Sequence, residues 1–186
     1  MNLTIREGGH RDLDRMYPSM EMEFDSEELM SKLTMHKAMM NGNARLLILC
    51  DGESGITVAY AFVLTKNMYG YVLLKYFSVL PWYRRQGVGV ESLRLIHREF
   101  AEKQGILTEI TDFPDENADR QNQLRKFFAR FGYVDVPVSM TVSGTAAHVL
   151  VKPIKGTWEI EKVAPRILRD FYSRVLTPPG MAKIRF

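Results

Sequence analysis

The stretch Tyr83-Arg84-Arg85-Gln86-Gly87-Val88-Gly89-Val90 constrains this chain more than any other. It joins an apolar, strand-like run, Tyr71 to Val79, to a helix-like run, Glu91 to Gln104. A glycine-bearing turn that enters a helix leaves several backbone N–H groups unpaired and aimed one way. The helix dipole adds partial positive charge at the same place. Such a turn suits a phosphate or a pyrophosphate. Gly87 and Gly89 put no side chain in the way of an anion, and Arg84 and Arg85 add formal positive charge. The spacing is neither Gly-x-x-x-x-Gly-Lys-Ser/Thr nor Gly-x-Gly-x-x-Gly, so the Walker loop and the usual dinucleotide fingerprint are both absent. The plainer alternative is a solvated Arg-Gly turn between strand and helix.

Periodicity on either side of the turn alternates between strands and helices. Leu3 to Arg6 reads as a strand and Asp12 to Tyr17 as a short helix. Asp25, with Glu28 three residues on, predicts the cap of a second helix whose face is Leu29, Leu33, Lys37 and Met40. Ala44 to Cys50 and Ile56 to Thr65 are β-rich and flank a Gly-containing hairpin signal; a third run spans Tyr69 to Val79. Beyond the turn come a helix closed by Gly105, a strand over Ile106 to Thr111, and a helical stripe of Leu124, Phe127, Phe128 and Phe131. Strands over Tyr133 to Val136 and Thr145 to Val151 follow. Pro165 fits the first turn of a helix running to Leu176.

The 186 residues, 46% hydrophobic and 25% charged, suit one ordinary globular domain. The net charge of +3 is spread along the chain and forms no Lys/Arg block, so nucleic acid is not an expected partner. No run approaches the ~18 apolar residues of a membrane span. The lone Cys50 excludes an internal disulfide and points to a reducing cytoplasm.

With strand, turn and helix in that order, Arg84 to Gly89 resembles the Arg/Gln-x-x-Gly-x-Gly/Ala signature of the GNAT superfamily, the acyl-CoA-dependent N-acetyltransferases. Val79-Leu80-Pro81-Trp82-Tyr83 resembles the family's Val-x-Pro-x-Tyr/Phe lead-in. The element order is also the family's, from Leu3 to Val151. The resemblance implies an α/β GNAT fold: a mixed central sheet flanked by helices, with two parallel strands, Tyr71–Val79 and Ile106–Thr111, splayed around CoA. Residues 1–152 are then the acetyltransferase core, and 153–186 an extension packed on the same domain. It further implies acetyl-CoA as cosubstrate and a small-molecule or peptide amine as acceptor. Transfer would be direct, within a ternary complex of a cytoplasmic monomer or homodimer. The turn residues Arg84, Arg85, Gln86, Gly87, Val88, Gly89 and Val90 would hold the pyrophosphate. The main chain of Phe77 and Val79 would hold the pantetheine arm and polarise the thioester carbonyl.

The acid and the base are harder to place. The strand before the signature carries no Asp, Glu or His. In the family's second signature, counted back from Gly132-Tyr133, the position of the thiolate-protonating Tyr is Phe128. Asn122 stands one place from the family's Asn, and Leu124 replaces its Ala. Glu21 and Glu23 fall in the segment joining the first two helices, which lines the acceptor site in this family. They are candidate bases or solvated carboxylates. Tyr76 is a candidate acid or a packed core ring, and Glu109 a strand carboxylate needing a partner. Asp112, Asp115, Glu116 and Asp119 would lie near the thioester end of the cleft or simply in a solvated loop. Neither the four histidines nor Cys50 shows metal-ligand spacing, so no metal is expected. These departures leave open a second class of function: a CoA-binding sensor or partner-binding module that has kept the pocket and lost the chemistry.

Overall fold

Contacts divide the chain into two units, Met1–Thr65 with Leu74–Ala101 and Lys66–Leu73 with Glu102–Phe186. The computed structural model describes residues 2–111, 118–156 and 159–186. Strands and helices alternate in both units, so the fold class is α/β.

The first unit carries β1 (Leu3–Gly8), α1 (His10–Glu23), α2 (Lys32–Met40), β2 (Ala44–Asp51), β3 (Thr57–Leu64), β4 (Val72–Val79, from Leu74 on) and α3 (Val88–Glu99). Its strands lie in the order β1-β2-β3-β4. β1 pairs antiparallel with β2 from Leu3↔Asp51 to Gly8↔Leu46, and β2 pairs antiparallel with β3. Leu46 to Cys50 and Val58 to Leu64 are buried without a break. That continuity means both faces are covered, which is why these runs read as uniformly apolar rather than alternating.

The helices differ from the sequence expectation in two instructive ways. α1 does not stop before Pro18 but continues to Glu23. Leu13 and Met20, seven residues apart on one face, are both fully buried. Their burial, at ~1.5–3 kcal/mol each, offsets the ~3 kcal/mol that an interior proline costs. α2 is capped by Ser31, whose side chain accepts from the Thr34 N–H, and not by Asp25. Asp25 instead closes a separate turn, accepting from the Glu27, Glu28 and Leu29 N–H groups. The buried face of α2 is accordingly Met35 and Ala38, while Leu33 and Met40 are exposed.

The second unit carries β5 (Gly105–Thr111), α4 (Ala118–Ala129), β6 (Val134–Val142), β7 (Thr145–Pro153), α5 (Ile160–Val175), the short α6 (Pro178–Met181) and β8 (Ile184–Arg185). Its strand order is β5-β7-β6-β8. β6 runs six residues past the expected end at Val136. A register shift between Val136 and Met140 absorbs Pro137, which has no N–H to give a ladder. Ser143 and Gly144, at φ 51° and 86°, then turn the chain into β7. α5 begins five residues before Pro165, so that proline is interior and not in the first turn. Ile160, Ala164, Ile167, Leu168, Phe171 and Tyr172 form its buried face.

Candidate functional site

β4 ends at Val79, and Pro81–Tyr83 forms a single 3-10 turn. Two side chains tie the following loop back: the Gln86 Nε2 donates to the Trp82 carbonyl at 2.9 Å, and the Arg84 Nε donates to the Val79 carbonyl at 2.9 Å. Arg85 (φ 61°) and Gly87 (φ 79°) are both left-handed. For a residue with a side chain, that conformation costs ~1–3 kcal/mol. The strain at Arg85 is what turns the backbone into α3. Gly87 is the N-cap of α3, and no side chain caps it. The first helical bond is Glu91 N–H to the Gly87 carbonyl, so helix geometry leaves Val88, Gly89 and Val90 N–H without intrahelical acceptors. A Cβ placed on Gly87 would meet nothing within 4 Å. Two exposed arginines, Arg84 and Arg85, stand in the same loop.

Val88 anchors the turn from beneath, buried against Leu3, Leu49, Val58 and Ala59. Phe77, Val79 and Tyr83 pack on the same cluster. The side chains of Phe77 and Val79 are thus spent on packing, and only their main chain remains for a ligand. The Gln86 side chain is likewise occupied by the loop.

The candidate acid and base groups of the first unit come from α1 and β4. Glu21 and Glu23 lie in the last turn of α1, not in the segment after it, because burial of Met20 carries the helix onward. Glu21 is exposed; Glu23 is only 14% exposed and forms an ion pair with the Arg84 guanidinium. One signature arginine thereby bridges α1 and the end of β4. Tyr76 is fully buried, its ring against Phe24 and Phe62. Its hydroxyl donates to the Glu28 carbonyl at 2.9 Å and accepts from the Met30 N–H at 2.8 Å. That pair of bonds holds the α1–α2 connection onto β4. The sequence reading did not single out Tyr60, Ser19 or Ser78, whose hydroxyls lie near one another, Glu23 and Arg84 without closing a hydrogen bond to Tyr60. Nor did it foresee that His10 and His36 stack, with their Nδ1 atoms 2.7 Å apart and His36 Nε2 3.0 Å from Asp14.

In the second unit, Phe128 is buried with its ring centroid 5.0 Å from that of Tyr133 and 5.4 Å from that of Phe127. Asn122 is exposed on α4. Glu109 accepts a 2.5 Å hydrogen bond from the Tyr172 hydroxyl of α5, a structural partner for a strand carboxylate. Asp112, Asp115 and Glu116 lie outside the described residues, while Asp119 is exposed in the first turn of α4. Among the described residues no three His, Cys, Asp or Glu side chains form a metal-binding group, and no helix is long and apolar enough to cross a membrane.

No family model matches the chain, and no curated protein matches it in sequence. Solved structures do. A GNAT-family protein from Bacteroides thetaiotaomicron superposes with a TM-score of 0.72 at 14% identity, covering 89% of this chain and 96% of its own. Arabidopsis thaliana NAA60 in complex with acetyl-CoA gives 0.63 at 12% identity, covering 83% and 100%. The spermidine N-acetyltransferase SpeG of Vibrio cholerae, as a mutant, gives 0.61 at 11% identity, covering 81% and 93%.

Proposed function

We propose that this chain, whose fold is the GNAT fold, is an N-acetyltransferase that moves the acetyl group of acetyl-CoA directly to an amine. The observation that carries the reading is the uncapped turn at Gly87, where left-handed backbone, free helix N–H groups and exposed arginines converge. A pyrophosphate supplies the acceptors those donors lack. That NAA60 holds acetyl-CoA on this fold, and that the V. cholerae enzyme acts on spermidine, supports the cosubstrate and the acceptor class.

In this reading the pyrophosphate sits on Arg84 to Val90 and the pantetheine arm runs along the main chain at Phe77 and Val79. A main-chain N–H there polarises the thioester carbonyl. Glu23 is the candidate base, set free when a phosphate takes over Arg84; water is the alternative, since an alkylamine of pKa ~10 keeps some neutral form. Glu21 and Glu23, with Asp115 and Glu116 of the intervening sequence, favour a cationic acceptor: a polyamine, an aminoglycoside-like amine, or a peptide lysine or N-terminus. The lone Cys50, buried on β2, suits a reducing cytoplasm.

The test measures acetyl-CoA binding calorimetrically and thiol release over cationic and neutral amines at low and high salt. Release with cationic amines, weakened by salt and by joint neutralisation of Glu21, Glu23, Asp115 and Glu116, supports the reading in full. Equal loss for both amine classes removes the electrostatic selection. A second reading, a CoA-binding sensor, is favoured by Phe128, a buried ring where the family's second signature carries a proton-donating tyrosine. It predicts CoA binding without thiol release for any amine.

A further inference from the structure

Tyr60 is a polar group of the first unit that the scheme above leaves without a task. It lies on β3, fully buried, and its hydroxyl oxygen has no hydrogen-bond partner among the described residues. A buried hydroxyl left unsatisfied destabilises the fold, because its lost hydration is not replaced. Phenylalanine would serve packing better, so a phenol here calls for a partner that binds and departs.

Its position narrows what that partner is. The Leu80 N–H donates to the Val58 carbonyl at 2.9 Å, and the Phe62 and Tyr76 rings lie 6.3 Å apart. Both pairings fit one antiparallel register of β3 against β4, and in that register Tyr60 stands opposite Ser78. Side chains two residues apart share a face. Tyr60, Phe62, Tyr76 and Ser78 therefore share the face covered by Phe24 and the α1–α2 connection, while Phe77 and Val79 turn toward Val88. Ser78 is the residue between Phe77 and Val79, so Tyr60 stands level with the main chain proposed to hold the thioester. Ser78 donates a long 3.4 Å hydrogen bond to the Val79 carbonyl.

The surroundings keep the phenol protonated. Burial, the largest influence, pushes it above the ordinary tyrosine range; the Ser19 and Ser78 hydroxyls and Arg84 oppose that, and Glu23 adds to it. What Tyr60 offers a ligand at neutral pH is an O–H donor.

We propose that the Tyr60 hydroxyl is a catalytic donor to the sulphur of the departing CoA, doing from β3 what Phe128 cannot do from α4. This rests on the acetyl-transfer reading. The amine nitrogen forms the new bond to the thioester carbonyl carbon, the C–S bond breaks, and its electron pair goes to sulphur. Tyr60 hydrogen-bonds the sulphur as charge builds, gives it the proton, and regains one from solvent. The proton lost by the amine passes to Glu23 or water. Access follows from Arg84: exchanging Glu23 for a phosphate loosens the ion pair beside the phenol.

The experiment compares wild type with Tyr60→Phe in thiol release, acetyl-CoA binding and thermal melting. The expected result is a kcat lower by on the order of 100-fold, with acetyl-CoA affinity within about twofold and melting temperature unchanged or higher, because an unsatisfied group has been removed. A folded Tyr60→Phe protein with wild-type kcat overturns the proposal, as does a kcat that falls only in step with lost stability. An independent variant, Tyr60→3-fluorotyrosine, keeps the shape and makes the phenol more acidic. It should move the alkaline fall of kcat to lower pH, and an unmoved profile counts against the donor role. Wild type that binds acetyl-CoA but releases no thiol overturns the Tyr60 role and leaves CoA binding standing. Absence of binding overturns both.

Discussion

The glycine turn and the hydroxyl cluster beside α1 belong to the same unit and share Arg84, yet they are built in opposite ways. The turn is made by eight consecutive residues, and its chemistry is mostly backbone: left-handed Arg85 and Gly87, an uncapped helix start, open space where a side chain would be. The cluster draws Ser19 and Glu23 from α1, Tyr60 from β3 and Ser78 from β4, and its chemistry is all side chain. A site of backbone donors depends on local conformation and tolerates any sequence that makes the turn. A site of converging side chains depends on register and on how far each helix runs. Damage to the first should abolish cosubstrate binding, and damage to the second should spare binding and cost rate.

The sharpest way to break this contrast is Gly89→Glu. An acidic residue suits the first turn of a helix, so α3 should form. Its carboxylate would nonetheless occupy and repel the pyrophosphate position, and acetyl-CoA affinity should fall by at least ~3 kcal/mol, more than 100-fold. Calorimetric titration of a folded variant decides it, and unchanged affinity would mean that the turn is not the phosphate site.

Next in size is Glu23→Gln, which acts on both regions with opposite signs. Removing the anion loosens Arg84, and a partly exposed pair of this kind is worth about 1 kcal/mol, so acetyl-CoA should bind about fivefold tighter. If Glu23 is the base, kcat falls by on the order of 100-fold in the same protein. Tighter binding with unchanged kcat would assign the proton to water and leave Glu23 as a latch on Arg84.

This split also explains what was legible in the sequence. The turn, its flanking strand and its helix stand in a contiguous stretch, and each glycine and arginine carries its meaning locally. Tyr60 and Ser78 are 18 residues apart in the chain. Nothing local marks a tyrosine in a run of buried β residues as differing from Tyr76, whose hydroxyl is fully used. The placement of Glu23 was hidden for a related reason. Pro18 signals a helix end, and only the burial of Met20, a tertiary fact, overrides it. The same competition moved the cap of α2 from Asp25 to Ser31.

Phe128→Tyr tests whether the second signature still has a place for its missing hydroxyl. The ring is buried against the Phe127 and Tyr133 rings. Acetyl-CoA affinity should be unchanged, and an unsatisfied phenol should cost ~1–3 kcal/mol of stability. A thermal melt together with a binding titration checks both. A rate gain without loss of stability would show that the α4 position can still serve the thiolate.

The smallest expected effect comes from the start of α1, the helix that carries Ser19 and Glu23 to the hydroxyl cluster. Asp12 accepts from Arg6 and from the Gly9 N–H, closing the first turn of the helix. The Arg6 hydrogen bonds, more than any other influence, lower the Asp12 carboxyl from 3.8 to about 2. A carboxylate with a depressed folded-state pKa stabilises the fold above its unfolded value and loses that contribution as pH falls through the folded one. Its effect is therefore full above about pH 4, fades between about pH 4 and about pH 2, and is absent below that. Asp12→Asn should remove roughly 1 kcal/mol at neutral pH and almost nothing at the acid end of that window. Melts of both proteins from about pH 6 down to about pH 2 should converge as the carboxyl protonates. At neutral pH the variant should also raise the acceptor KM slightly while acetyl-CoA affinity changes less, because α1 meets the turn only at the Glu23–Arg84 ion pair. Equal loss of both would mean that the turn and the cluster are not separable, and that Arg84 couples them more tightly than a partly exposed ion pair should.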